Sequence, residues 1–262
     1  YAAARAYFDL PDAVKMRHHA PQGGGARGYT PYGKEAAKGE ALVDLKEFWH
    51  RGRELPARHR YAASMPANVP VPEIDGFDEA TAALFDGLDA AGRRVLRAIA
   101  LWLGLEQDWF ESRVAEGNSV LRLLHYPPVP DGAEGVRAAA HEDINVITLL
   151  LGAEEAGLQL LTREGEWIDV KPPQGALVIN VGDMLQRLTN HVLPSTTHRV
   201  INPVEARRDK PRYSMPYFLH FQPDVDLTPL PGCVSADNPN RYPEPLTADG
   251  YLQERLREIR LK

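Results

Sequence analysis

HEDINVITLLL at residues 141–151, followed by GALVINVGD at 175–183, THRV at 197–200 and RYS at 212–214, is the stretch on which the fold of this chain turns. Apolar runs this short, separated by Gly, Pro and charged turns, read as strands rather than helices. The same pattern extends on both sides. It predicts strands over Val120–Tyr126, Ala140–Leu151, Gly157–Leu161, Trp167–Val170, Ala176–Val181, Thr197–Ile201 and Tyr213–Phe221. So many short strands at this spacing point to a two-sheet jelly roll of the cupin-like, double-stranded β-helix kind. Side chains alternate along a strand, so a strand over 140–151 carries His141 and Asp143 on one face, roughly 6.6 Å apart.

Ahead of the strands the period changes. Phe77, Ala80, Leu84, Leu88, Ala91, Val95, Ile99 and Leu103 recur every three or four residues, the pattern of an amphipathic helix, and Gly104 supplies its C-terminal cap. This helix is expected to back the sheet with an apolar stripe free of polar chemistry. Tyr1–Phe8 reads as a helix end packed on Tyr7 and Phe8 and broken at Pro11, and Asp44–Trp49 as a short strand. The run Gly23–Gly33 has too much Gly and Pro for a regular element, which predicts a mobile loop. Tyr29 and Tyr32 on it either line a substrate mouth or anchor the loop to the body. The segment 56–72 is a proline-rich connector, and a capped helix from Thr247 buries Tyr251, Leu252, Leu256 and Ile259. The class is therefore α+β with a mainly β core and flanking helices. One domain is expected over 1–262: support from 1–117, the jelly roll with a metal site at 118–222, and an extension with a helix at 223–262.

Composition narrows the partners. A chain of 262 residues with 44% hydrophobic and 25% charged residues is ordinary globular material. Its net charge of −6, without a Lys/Arg block, disfavours nucleic acid, and no apolar run reaches the roughly 20 residues of a membrane helix. The single cysteine, Cys233, rules out an internal disulfide framework, fits a reducing, cytoplasmic setting and is expected to serve packing. The sequence begins at Tyr1 rather than Met, so a leading segment is expected to be missing from it. It carries no signal for oligomeric state.

A His-x-Asp triplet alone is weak in a chain with nine histidines and 36 acidic residues. Order strengthens it. His198 lies on a second predicted strand and Arg212-x-Ser214 on a third, with Gly-Asp turn chemistry between them. If His198 folds over His141 and Asp143, two imidazoles and a carboxylate form one face of an octahedron and leave the other open, the donor set of non-haem Fe(II) centres. His125, His191 and His220 are rival ligands ranked below His198. Arg212 and Ser214, two apart on a strand, share a face on which a guanidinium and a hydroxyl grip one carboxylate. Arg207 and Arg208, in the charged stretch before them, are alternative carboxylate binders.

The pieces YFDLPDAVK (7–15), LRLLHYPP (121–128), HEDINVITLLL, GLQLL (157–161), EWIDVKPPQGALVINVGDML (166–185), HRVINP (198–203) and RYSMPYFLHF (212–221) resemble, in order and spacing, the Fe(II)- and 2-oxoglutarate-dependent dioxygenases of the isopenicillin N synthase-like branch. The resemblance covers most of the chain. It implies that His141, Asp143 and His198 hold Fe(II), that Arg212 and Ser214 hold the distal carboxylate of 2-oxoglutarate, and that Tyr126 adds a hydroxyl. It further implies an enzyme using 2-oxoglutarate and O2 as co-substrates, with oxidative decarboxylation coupled to hydroxylation, desaturation or ring closure of a small organic substrate. The sequence departs from many relatives at Leu124, where they carry asparagine. Two alternatives stay open: an iron oxidase that does not use 2-oxoglutarate, and a non-catalytic metal- or ligand-binding jelly roll.

Overall fold

The computed structural model describes residues 1–21, 26–35, 43–129, 132–133, 135–151, 157–173, 175–203 and 208–258. Among them ten strands form two antiparallel sheets. The larger holds β1 (Gly28–Thr30), β2 (Glu47–Gly52), β3 (Val120–Tyr126), β10 (Arg212–Leu219), β5 (Ile147–Leu151) and β8 (Leu177–Val181), in that spatial order. The smaller holds β4 (Ala138–His141), β9 (His198–Val200), β6 (Leu158–Leu161) and β7 (Trp167–Asp169). This is the expected jelly roll.

Strand alternation divides the large sheet into two faces with different work. On β10, Tyr213, Met215, Tyr217 and Leu219 join the hydrophobic core, whereas Arg212, Ser214, Pro216 and Phe218 line a cavity between the sheets. On β3, Leu121 and Leu123 go to the core and Arg122, Leu124 and Tyr126 to the cavity. A two-residue period thus carries an apolar exterior face and a chemically mixed interior face on the same strands.

The exterior face is covered by α1 (Ala2–Phe8) and the long α3 (Phe77–Trp102); the short helices α2 (Asp12–Lys15) and α4 (Glu111–Val114) follow them in the chain. Tyr7 and Phe8 are buried, as expected of the first segment. Helix α3 ends in a Schellman motif: Leu105 N donates to Ala100 O at 2.9 Å, Gly104 N to Leu101 O at 3.1 Å, and Gly104 takes φ +73°. Its buried positions are Phe77, Thr81, Phe85, Leu88, Asp89, Gly92, Leu96 and Ala100, with Leu84, Ala91, Val95 and Ile99 flanking. The stripe is therefore turned slightly from the predicted one. Nor is it free of polar chemistry. Asp89 accepts hydrogen bonds from Tyr217 (2.6 Å), Arg53 (2.7 Å) and Arg93 (2.8 Å). Burial raises the pKa of this carboxyl, but these donors and cations hold it below the ordinary carboxylate range.

At Gly92 the helix lies against the sheet so closely that a Cβ would sit 2.5 Å from Leu219 Cδ1 and 3.1 Å from Leu149 Cδ1. Both leucines are fully buried. Gly92→Ala is accordingly expected to lower stability by about 1–3 kcal/mol, because overpacking outweighs the helix propensity gained. Denaturant unfolding measures it; an unchanged midpoint would mean that the contact yields freely.

Two further expectations are corrected. The run Ala140–Leu151 is not one strand: β4 ends at His141, residues 142–146 cross between sheets, and β5 begins at Ile147. The crossing is tight. Gly182 N bonds Val146 O and Asp183 N bonds Asp143 O, and a Cβ on Gly182 would lie 2.2 Å from Asn145 O. Tyr29 is on β1 rather than a mobile loop; it is buried, and its hydroxyl donates to Glu47. It is an anchor, whereas Tyr32 is exposed. Gly23–Gly25 and Ile259 lie outside the described residues. The short helix α5 (Asp183–Leu188) follows β8 where no helix was expected, and α6 (Ala248–Glu258) forms the predicted C-terminal helix. No described helix is long and apolar enough to cross a membrane. Cys233 is buried and free.

Candidate active site

His141 is the last residue of β4 and pairs in register with His198, the first of β9. Their rings are 4.4 Å apart between centroids. Asp143 lies beyond the strand end, so the same-face argument that joined it to His141 does not describe how they meet. The crossing segment brings it back. Asp143 Oδ1 comes to 4.0 Å from His141 Nε2 and 3.7 Å from His198 Nε2. One donor atom from each residue lies within 4.8 Å of the others, the one such group found among the described residues.

The surrounding hydrogen bonds aim these atoms. His141 Nδ1 bonds Ala139 O at 2.7 Å and His198 Nδ1 bonds Thr196 O at 3.0 Å. A carbonyl only accepts, so each Nδ1 carries a proton, and Nε2 is the ring atom left facing Asp143. Burial, then the charge of His198, pushes His141 well below its ordinary pKa, which favours the neutral, ligating ring. Asp143 Oδ2 accepts from Thr148 Oγ1 at 2.6 Å and Asn180 Nδ2 at 2.8 Å, which leaves Oδ1 for the space between the imidazoles. Burial raises the Asp143 pKa, but His198, His141 and the two donors bring it below the ordinary value. The carboxyl is ionised at neutral pH.

These groups open on a cavity of ≈ 270 Å³, near the lower end of small-molecule pockets. Arg212 and Ser214 line it from β10, paired in register with Tyr126 and Leu124 on β3. The Arg212 guanidinium lies 5.1 Å from the Tyr126 ring centroid. All six residues expected to carry the chemistry thus share one cavity. Arg208 is not among its lining residues, and Arg207 lies outside the described residues. The rival histidines have other settings. His125 faces away from the cavity and bonds Glu47 at 2.7 Å; His191 sits in a turn at φ +66°, stacked on Tyr242; burial pushes His220 down to about 4.

Thr148, Asn180, Lys46 and Arg122 were missed by sequence reasoning. The first two had a signal: each is a lone polar residue in an apolar strand, at a register position that turns it inward. Lys46 had none, since it precedes a strand start that the pattern misplaced.

A profile of the 2OG-Fe(II) oxygenase superfamily matches residues 117–221, and one described as the N-terminal region of non-haem dioxygenases in morphine synthesis matches 1–73. The 2-oxoglutarate-Fe(II) type oxidoreductase hxnY of Emericella nidulans is 33% identical over 96% of this chain and 74% of its own length. This chain belongs to the 2OG-Fe(II) oxygenase superfamily. Among solved structures, a 2OG-Fe(II) oxygenase family protein from Caulobacter crescentus superposes with a TM-score of 0.90 at 56% identity, covering 98% of this oxygenase and 84% of that chain. A full-length Neurospora crassa protein solved in complex with alpha-KG and thymine superposes at 0.85 with 32% identity, covering 98% and 81%.

The superfamily uses Fe(II) and 2-oxoglutarate. The donor set of this oxygenase fits that metal: two imidazoles whose Nδ1–H groups are held by backbone carbonyls, one ionised carboxylate oxygen, and no thiolate. Partners of ligating groups hold the ligand geometry and usually change metal affinity about 10–100-fold. Thr148→Val, which removes the 2.6 Å bond to Asp143, is expected to weaken Fe(II) binding by about that factor with the fold intact. Anaerobic calorimetric titration of Fe(II) checks it; unchanged affinity would show that Asn180 alone suffices.

Proposed function

We propose that His141, Asp143 and His198 bind the Fe(II) of this 2-oxoglutarate-dependent oxygenase, and that Arg212 and Ser214, with Tyr126 beside them, hold the distal carboxylate of 2-oxoglutarate. The observation that carries this assignment is the shared cavity: the three donor atoms converge on one wall, and the guanidinium and hydroxyl face inward from another. When bound, iron and O2 supply the oxidation, in which 2-oxoglutarate is cleaved to succinate and CO2 and a substrate C–H bond is oxidised. The chain's own residues do the rest.

Arg212 and Ser214 fix one end of the co-substrate by charge-assisted hydrogen bonds and thereby set its reach toward the triad. The peptide carbonyls of Ala139 and Thr196 keep the imidazoles in the ligating tautomer. Leu124, Leu158, Val178 and Val200 line the cavity with hydrocarbon, which excludes water around the reacting carbon. Hydroxylation, desaturation and ring closure then differ in where that carbon is held. A small molecule is the substrate class supported by the cavity size and by the thymine complex of the Neurospora crassa relative. A place in the isopenicillin N synthase-like branch, a cytoplasmic setting and one working unit over 1–262, with its core at 118–222, belong to the same proposal.

The test is spectroscopic. Anaerobic addition of Fe(II) and 2-oxoglutarate to the protein is expected to give a weak visible charge-transfer band that neither gives alone, and admission of O2 to release succinate. A folded protein with neither signal would overturn the assignment.

A further inference from the structure

Outside the residues assigned to iron and co-substrate, the cavity presents two more cations. Lys46 and Arg122 both line it, and both are backed by carboxylates absent from the lining. The Lys46 ammonium sits 2.6 Å from Glu35 and 2.7 Å from Asp44, and Arg122 forks onto the two oxygens of Glu35 at 3.2 and 3.3 Å. Arg122 Nε also donates to His50 Nε2 at 2.6 Å, and its guanidinium carbon lies 4.2 Å from the Phe48 ring centroid and 5.2 Å from that of Phe218.

The carboxylates are committed. Asp44 Oδ1 accepts from Ala139 N at 2.9 Å, while Oδ2 takes Lys46; burial raises the pKa of Glu35, but Arg122 and Lys46 hold it far below the ordinary range. Burial opposes the charge of Lys46, yet Glu35 and Asp44 raise its pKa, so the ammonium is charged. These two carboxylates are its ion-pair partners among the described residues, and an ammonium has three N–H donors, so a third is left for the cavity that Lys46 lines. The wall is balanced in total, with its cations in front and its anions behind, and a ligand in the cavity meets the nearer positive charge first. Hydrocarbon walls of low dielectric strengthen that field.

We propose that Lys46, supported by Arg122, anchors a carboxylate of the substrate, and that the oxygenase acts on small carboxylic acids with an apolar body. The body lies along Leu158, Leu160, Val170 and Val178, which places its carbons beside the triad. The inference rests on the reading of this cavity as the oxidation site. It differs from a second co-substrate contact, because Arg212 and Ser214 occupy β10 whereas Lys46 precedes β2, with β3 between them.

The test is anaerobic calorimetry on the protein loaded with Fe(II) and 2-oxoglutarate, using 3-phenylpropionate, cyclohexylacetate and hexanoate, each beside its primary amide. At least one acid is expected to bind about ten-fold or more tightly than its amide, the size of one charge-assisted hydrogen bond. Lys46→Met should bring acid and amide to within about two-fold, Lys46→Arg should retain the preference, and the 2-oxoglutarate Kd should hold in both. Because Lys46→Met strips a counter-ion from Glu35 and Asp44, the charge-balanced Lys46→Met/Glu35→Gln is measured with it and should behave alike. Equal binding of acids and amides, no binding of any acid, or a preference that survives both Met variants would overturn the proposal. So would a rise in the 2-oxoglutarate Kd matching the loss of acid binding. Failure of the wild type to bind Fe(II) and 2-oxoglutarate would instead sink the reading of the site itself.

Discussion

His198→Ala is expected to abolish Fe(II) binding and succinate release together, with the fold retained. The imidazole contributes one of three donors and holds its Nε2 3.7 Å from Asp143 Oδ1, so its loss leaves a two-donor site. Even partners that merely touch a ligand alter metal affinity about 10–100-fold, and removal of a ligand should exceed that range. The fold should survive because His198 is the first residue of a three-residue strand in the smaller sheet and lies outside the main core cluster. Fe(II) calorimetry and succinate assay on the variant, with far-UV circular dichroism as the folding control, make the measurement. Retained iron binding at wild-type affinity would remove His198 from the ligand set.

Arg212→Leu should act on the other end of the site and spare the metal. Arg212 is 2% exposed, and a carboxylate bound there is desolvated, where each charge-assisted hydrogen bond is worth about 1.5–3 kcal/mol. One such bond corresponds to about a 10–150-fold rise in the 2-oxoglutarate Kd. Ser214→Ala removes one hydrogen bond to the same carboxylate from an uncharged donor and should cost about 1.5 kcal/mol, the low end of that range, or roughly ten-fold. Arg212→Lys keeps the charge but loses the planar fork, so it should fall between these. Fe(II) affinity measured without 2-oxoglutarate should stay within about two-fold of wild type in all three, since no triad residue lies on β10. If Ser214→Ala were as damaging as Arg212→Leu, the carboxylate would be held chiefly by the hydroxyl.

The two variants separate along the architecture. The proposed iron donors come from β4, β9 and the crossing segment between β4 and β5, whereas the proposed co-substrate pair comes from β10 in the opposite sheet. Lys46 forms a third position, and Asp44 links it to the metal side through Ala139: Asp44 accepts from the Ala139 N–H, and the Ala139 carbonyl accepts from His141. Lys46 and His141 are thus joined through Asp44 and Ala139.

Local pattern determined a good deal of this protein. The two-residue alternation of RYSMPYFL sends Arg212 and Ser214 to one face and Tyr213 and Met215 to the other, whatever the sheet packs against. The three- to four-residue period and Gly104 delimit α3, because helix geometry and the left-handed cap are local properties. The order His141, Asp143, His198, Arg212, Ser214 was legible for the same reason: it needs only residue types and strand spacing. Tertiary structure decided what depends on meetings between distant segments. No local rule ends β4 at His141 and returns Asp143 by a crossing segment, since that break is set by packing against Gly182 and Asp183 some forty positions later. The burial of Tyr29 requires Glu47 opposite it, and the cationic wall requires Glu35 and Asp44 behind Lys46 and Arg122. Charges that neutralise one another in a buried wall carry no periodic signal along the chain; only the fold, by removing them from water, forces them to pair.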